Sequence, residues 1–488
     1  MRIGVVVKFL GFLLLVISAW MLAPLIYTAI NGGDDILSFV ETLTVSGSVS
    51  LLFILVSRRV KMSEMGMREA MASVTLSWVA ASAVSGLPYW FHGSAPMYAD
   101  AFFEAMSGYT TTGSTILTDI DSAPGGLILW RGLTHWLGGM GIIVLTLTLM
   151  PLIGVGGFQM YRAEVPGMVH EKLTPRVQGT AVILWLIYMA LTVVLTALLM
   201  IGGMDFLDAV THSMGTISTG GFSSKSASLA FYDSAYFDWV ITFFMFLSGA
   251  NFVLHFHAIK RRSLRCFFED PEFSFYSVLI ISIGLAVSSG LYLSGTYSTL
   301  SDSLRFGFFQ VVSLVTTTGF ISADYDLWPY FIKSMLFICL FMGGCAGSTS
   351  GSIKQVRLLV MSSHIARHIS RILSPRSIAP LRIGARSLDS GVVSSCFAFL
   401  GLYAVVLAAG AFVISLFEPD LFTAISGAAT TLGNVGPGFG VIGPTMNFAG
   451  QATGAKWTYS FLMLCGRLEF FTVLILFTRA FWRGGAAL

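Results

Sequence analysis

One short string of small hydroxyl residues closing on a glycine recurs along this chain. It appears as Thr111-Thr112-Gly113, as Ser218-Thr219-Gly220, as Thr317-Thr318-Gly319 and, in degenerate form, as Thr431-Leu432-Gly433 with Asn434 after it. The glycines are 107, 99 and 114 residues apart. A period near one hundred residues is too long for a solenoid repeat and suits a unit that crosses a membrane twice. Each copy also follows an amphipathic segment and precedes an apolar one, which four unrelated turns would not share. Glycine after small hydroxyl residues favours an extended backbone with unusual φ values. Rings of backbone carbonyls are how a pore replaces the water around a potassium ion.

Composition agrees with a membrane setting. Apolar residues make up 55% of the 488 and charged residues 11%, where a soluble domain carries roughly 25% charged residues. Mean hydropathy is +0.79. The first apolar run, Val5 to Ile30, is too long for a signal-peptide core and reads as a retained helix. The net charge of +3 is small, but the basic residues cluster. They fall at Arg58-Arg59-Val60-Lys61, at Lys260-Arg261-Arg262 with Arg265, and along Lys354, Arg357, Arg367, Arg371, Arg376, Arg382 and Arg386. By the positive-inside rule these mark cytoplasmic loops, not a nucleic-acid surface. The five cysteines, Cys266, Cys339, Cys345, Cys396 and Cys465, show neither disulfide nor zinc spacing.

The fold expected is an all-α polytopic membrane protein. Residues 1–57 form a two-helix hairpin, and four helix–short helix–helix repeats follow at 70–154, 179–258, 273–373 and 390–482. The short segments, Ala99–Ser107, Asp205–Ser213, Leu300–Val315 and Asp420–Ala429, cannot span and are expected to dip in and return. Their C-terminal ends carry partial negative charge and favour a cation just beyond them. The exit of the third repeat contains Gly343-Gly344-Cys345-Ala346-Gly347-Ser348-Thr349-Ser350-Gly351-Ser352, a run with no large side chain that should break the helix. Unwound backbone at membrane depth is tolerated where it lines a wet cavity. The last span, near Tyr459–Phe477, holds Arg467 and Glu469. Charges inside a span are functional candidates, and two residues apart on a helix they do not face each other.

With these pieces assembled the chain resembles the Trk-type membrane subunits of the Trk/Ktr/HKT superfamily over nearly its whole length. The matches are the four strings, the segment Trp136-Leu137-Gly138-Gly139-Met140-Gly141, and Gly343–Thr349 with Lys354. The N-terminal hairpin is closer to the Trk branch than to the shorter Ktr branch. The resemblance implies gated, channel-like potassium uptake across a bacterial inner membrane, with both termini cytoplasmic. It implies one pseudo-fourfold pore whose selectivity filter is Thr111, Thr112, Gly113, Ser218, Thr219, Gly220, Thr317, Thr318, Gly319, Thr431, Leu432, Gly433 and Asn434. Related plant transporters with serine at the first filter glycine select sodium, so glycine at all four positions favours potassium. It implies that Gly343–Ser352 is an intramembrane gate, with Arg467 beside it raising a barrier to cations. Ser352 departs from the pattern, since glycine is common there. The resemblance further implies a homodimer in the lipid bilayer, with a cytoplasmic nucleotide-binding ring as partner. The chain itself carries no phosphate-loop or dinucleotide fingerprint; the expectation is no cofactor here, potassium as permeant ion, and nucleotide only on the partner.

Two other classes compete. A secondary transporter coupling potassium to protons or sodium would need membrane carboxylates, for which Glu469 and Glu104 are the candidates. A membrane-embedded metalloenzyme would draw on His255 with His257, or His364 with His368, yet no accompanying carboxylate follows an HExxH pattern.

Overall fold

The computed structural model describes residues 1–62, 65–141, 177–374, 382–384, 386–387 and 390–483. The inner loop expected around Arg162, Lys172 and Arg176, the continuation of the first repeat's exit span to Leu152, and Arg376 lie outside the described residues. The described residues are almost wholly helical, with one two-residue antiparallel ladder, Arg382–Ile383 against Arg386–Ser387. Among the described residues six helices are long and apolar enough to cross a membrane, or up to eight if each of two bent pairs counts as one span.

Helices α1 (Ile3–Asn31) and α2 (Ile36–Val56) form the expected hairpin. α1 stops where Gly32 turns left-handed at φ 70° and its amide bonds back to Thr28 O. Between the two helices Asp35 is fully buried, and its carboxylate accepts the amide of Leu127 at 2.9 Å. Leu127 lies in the first turn of α6 (Gly125–Gly139). The hairpin therefore caps a helix of the first repeat from outside it. Asp35→Ala is expected to lower stability by about 1–2 kcal/mol, as loss of a cap does, read as a lower thermal midpoint in detergent.

The first repeat comprises α3 (Met67–Ser85) with its short continuation α4 (Leu87–His92), then α5 (Tyr98–Tyr109) and α6. The second comprises α7 (Val177–Ile201), α8 (Phe206–Ile217), α9 (Ala235–Ser248) and α10 (Phe252–Arg261). After the short connector α11 (Arg265–Glu269), the third comprises α12 (Pro271–Leu293), α13 (Leu300–Val315), α14 (Tyr330–Cys339) and α15 (Gln355–Leu373). The fourth comprises α16 (Ser390–Ile414), α17 (Leu421–Gly433), α18 (Thr453–Arg467) and α19 (Phe471–Leu474), before a terminal turn α20 (Arg479–Arg483). Polar side chains cap the third and fourth short helices. Asp420 accepts the Thr423 amide at 2.9 Å, and Thr299 accepts that of Asp302 at 3.0 Å.

The exit helices correct one expectation. The sequence marks a break only in the third, but α9 and α10 meet at 96° and α18 and α19 at 115°. The second break falls at Gly249-Ala250-Asn251, and the fourth where Glu469 and Phe470 both take positive φ. α6 ends at Gly139, with Gly141 at φ 66°, and its continuation lies outside the described residues. The third repeat differs in the length of its break, residues 340–354, not in having one.

Candidate functional site

The four short helices end in the same way. A left-handed residue follows each last turn: Thr111 at φ 52°, Thr219 at 54°, Thr317 at 57° and Asn434 at 54°. The next amide reaches back five residues, Thr112 to Ser107 O, Gly220 to Gly215 O, Thr318 to Ser313 O and Val435 to Thr430 O, all at 2.8–2.9 Å. This six-to-one closure is a helix C-terminal motif that normally employs glycine. Here β-branched threonine, or asparagine, holds a conformation that costs about 1–2 kcal/mol.

A second positive φ follows two residues later, at Gly113, Gly221, Gly319 and Gly436. This fixes the repeat register and corrects two of the four strings. Gly221, not Gly220, is the equivalent of Gly113. In the fourth repeat Thr431, Leu432 and Gly433 are still in the last turn of α17, and the equivalent stretch is Asn434-Val435-Gly436. The leucine therefore does not stand where the other repeats place threonine. The true steps are 108, 98 and 117 residues.

These glycines close a ring. A Cβ on Gly113 would fall on Gly220 O, one on Gly221 on Thr318 O, one on Gly319 on Val435 O, and one on Gly436 within 2.6 Å of Thr112 O. Each glycine thus lies against the carbonyl of the residue preceding the ring glycine in the next repeat, and the fourth returns to the first. The backbones approach this closely only because no side chain intervenes. A cavity opens on one face of the ring, lined by all four glycines together with Ser114, Phe222, Pro437 and Phe448. Asn434 Nδ2 links the first and fourth strings by donating to Thr112 Oγ1 at 3.0 Å.

The other face meets the loop Gly343–Ser352. Thr349 Oγ1 donates to Ile217 O at 3.1 Å and accepts from Thr219 Oγ1 at 3.2 Å. The Gly351 amide donates to Thr317 Oγ1 at 2.7 Å. Arg467 completes the arrangement: Nη1 donates to Thr349 O at 2.7 Å and Thr111 Oγ1 at 3.1 Å, and Nη2 to Gly138 O at 2.6 Å and Gly139 O at 3.0 Å. The loop and one guanidinium therefore touch three of the four left-handed threonine or asparagine positions. Ser352, the departure noted in the sequence, holds φ 54° without glycine, and its Oγ donates to Leu340 O at 2.9 Å.

The loop is anchored at both ends. Glu272 of α12 accepts the amides of Ala346 at 2.6 Å and Val356 at 3.0 Å. Lys354 Nζ donates to Ser350 O, and Gln355 Nε2 to Gly343 O at 2.6 Å. Gly344 and Cys345 are held through Ser350 Oγ and Gly249 O.

The two carboxylates considered for ion coupling are both paired. Glu469 bonds Arg357, and Glu104 meets Arg131 at 2.8 Å with both side chains buried. Of the histidines considered for a metal, His255 Nε2 lies 3.0 Å from Leu247 O. The described residues contain no group of three or more histidine, cysteine or acidic residues placed to hold a metal. Arg131 and Glu272 were not singled out from sequence. The rule that marks Arg467, a charge inside a span, applies equally to Arg131.

Four membrane hairpins whose short helices end on one carbonyl ring, with an unwound loop beneath it, define a multi-pass membrane protein of the four-repeat pore-helix class. The family described as TrkH, cation transport protein, matches residues 48–483, and the chain belongs to it. The Trk system potassium uptake protein TrkH of Escherichia coli (strain K12) is 37% identical over 485 residues, covering 99% of this chain and 100% of that protein. The Trk system potassium uptake protein TrkI of Halomonas elongata is 35% identical over 480 residues, covering 98% and 96%. The crystal structure of the potassium transporter TrkH from Vibrio parahaemolyticus superposes with a TM-score of 0.88 at 33% identity, covering 99% of this chain and 100% of that one.

Proposed function

We propose that this chain takes up potassium by passive, channel-like flow through the four-carbonyl ring, and that the loop Gly343–Ser352 with Arg467 is the gate. The observation that carries the reading is the closure of the ring by four equivalent glycine–carbonyl contacts. Carbonyl dipoles so placed can replace a hydration shell, and the short-helix C-termini behind them favour a cation. The names of the relatives, potassium uptake proteins, support the choice of ion. The filter is then Thr111–Gly113, Thr219–Gly221, Thr317–Gly319 and Asn434–Gly436. The loop and the Arg467 charge directly below it form a steric and electrostatic barrier.

The same reading places the protein as a homodimer in a bacterial inner membrane, with both termini cytoplasmic. A nucleotide-binding ring docks on the basic inner segments, Lys260–Arg265 and α15. The chain needs no cofactor of its own.

The test is current through purified protein in liposomes. The expected reversal potential follows the potassium gradient alone, unmoved by an imposed proton or sodium gradient. A reversal potential that tracks protons or sodium would replace this reading with coupled transport.

A further inference from the structure

The residue nine positions before each ring glycine is Glu104, His212, Gln310 and Gly427 in turn. In three repeats its side chain holds the segment that leads away from the ring. Glu104 accepts Thr115 Oγ1 at 3.0 Å and the Ile116 amide at 2.9 Å. His212 Nε2 lies 2.9 Å from Ser223 Oγ, and Gln310 Nε2 donates to Ser322 Oγ at 3.3 Å. In the fourth repeat the neighbouring Ser426 Oγ takes over, accepting the Phe439 amide at 3.1 Å.

The first of these differs from the rest in carrying a charge and in reaching a second repeat. Arg131 Nε donates to Glu104 Oε1 at 2.8 Å, and its Nη1 donates to Ser223 O at 2.8 Å. Nη2 reaches Thr115 Oγ1 at 3.3 Å, and the guanidinium lies 4.1 Å from the centre of the Phe222 ring. Thr115 and Ser223 each stand two residues beyond a ring glycine, Gly113 and Gly221. One ion pair therefore ties together the outer ends of two adjacent filter strings. Glu104 is 0% exposed and Arg131 1%, so solvent does not screen the pair, and its planar fork fixes direction as well as distance.

We propose that Glu104 and Arg131 are a specificity-determining positioning pair, which sets the spacing of the carbonyl ring between the first and second repeats and so its preference for potassium over sodium. The inference rests on the filter reading above. Arg131 also lines the cavity on this face of the ring, and the pair acts on the ring through residues 113–116 and 221–223.

The test compares potassium-to-sodium permeability ratios, from bi-ionic reversal potentials, in liposomes holding full-length protein. Glu104→Gln removes the charge, and Arg131→Lys keeps it while losing the fork. Each is expected to lower the ratio at least fivefold. Thr115→Val, which leaves no unpaired charge behind, is expected to lower it less and in the same direction; it decides the matter alone if the charge variants do not fold. Asp238→Asn is the comparison. Asp238 meets Arg305 at 2.6 Å between α9 and α13 and touches neither leading-away segment, so its ratio is expected to stay at the wild-type value. An equal fall in Asp238→Asn would make the effect general loosening and overturn the inference. Unchanged ratios in all three site variants, beside a lowered ratio in Gly113→Ala, would overturn it while leaving the filter reading intact. An unchanged ratio in Gly113→Ala as well would remove both.

Discussion

Alanine at Gly221 or at Gly436 is expected to lower potassium-over-sodium discrimination at least tenfold, while alanine at Gly433 leaves it within about twofold. Gly221 and Gly436 hold φ of 80° and 106°, a region that costs an L-residue about 1–2 kcal/mol. The new Cβ would also meet Thr318 O in one case and Thr112 O in the other. Those carbonyls belong to the ring, so relief of the clash must displace them. Every 1.4 kcal/mol lost from one ion relative to another is a factor of ten, so displaced carbonyls need cost potassium only about that much more than sodium. Gly433 lies in the last turn of α17 with no positive φ, and its nearest neighbour to an added Cβ, Leu340 O, is 3.0 Å away. The string comparison alone predicts the opposite order, with Gly220 and Gly433 as filter glycines. Bi-ionic reversal potentials of the three variants therefore test the structural register as well as the ring. A large loss in Gly433→Ala with none in Gly436→Ala would return the filter to the string register.

The four short helices and the hairpin were legible because length and hydropathy constrain them directly. A segment of about a dozen residues between two long apolar runs has few places to go in a bilayer. The register failed in the second and fourth repeats for a local reason. Gly220-Gly221 offers two glycines, and only the backbone distinguishes the one with positive φ. In the fourth repeat Thr430-Thr431-Leu432-Gly433 imitates the string of the third while still helical. The signal that was available is Asn434 followed two residues later by Gly436, because asparagine tolerates the left-handed region better than most residues. The breaks in α9–α10 and α18–α19 lie in spans whose few small or polar residues, Gly249 and Asn251 in one and Gly466, Arg467 and Glu469 in the other, do not by themselves require a bend. At the fourth, Glu469 and Phe470 take positive φ without any glycine to mark the place. The partners of Glu104, Glu272 and Glu469 lie 27, 74 to 84 and 112 residues away in the chain, distances at which a single sequence gives no pairing.

Arg467→Ala is expected to raise flux through the isolated protein by about a hundredfold with little change in the potassium-to-sodium ratio. The guanidinium donates to Thr111 Oγ1 of the first string and to Thr349 O of the loop, so it places a positive charge between the ring and the loop. A unit charge roughly 5 Å from another costs about 3 kcal/mol at an effective dielectric near 20, which corresponds to about a hundredfold in rate. Arg467→Lys keeps that charge and loses the fork that reaches four oxygens, so it separates the electrostatic barrier from the hydrogen-bonded plug. Low flux in Arg467→Lys would assign the barrier to charge; high flux would assign it to the loop's attachment. Deleting residues 346–350 removes Thr349 and the carbonyl of Ser350 that Lys354 holds, and is expected to raise flux at least as much. Glu272→Gln weakens the anchor on Ala346 and Val356 without touching the ring, and is expected to give a smaller rise. The ratio is the control for all of these, because the four ring glycines and their carbonyl neighbours remain in place. Unchanged flux in both Arg467→Ala and the deletion, measured with no partner present, would mean that the loop is not the barrier and that closure lies elsewhere along the path.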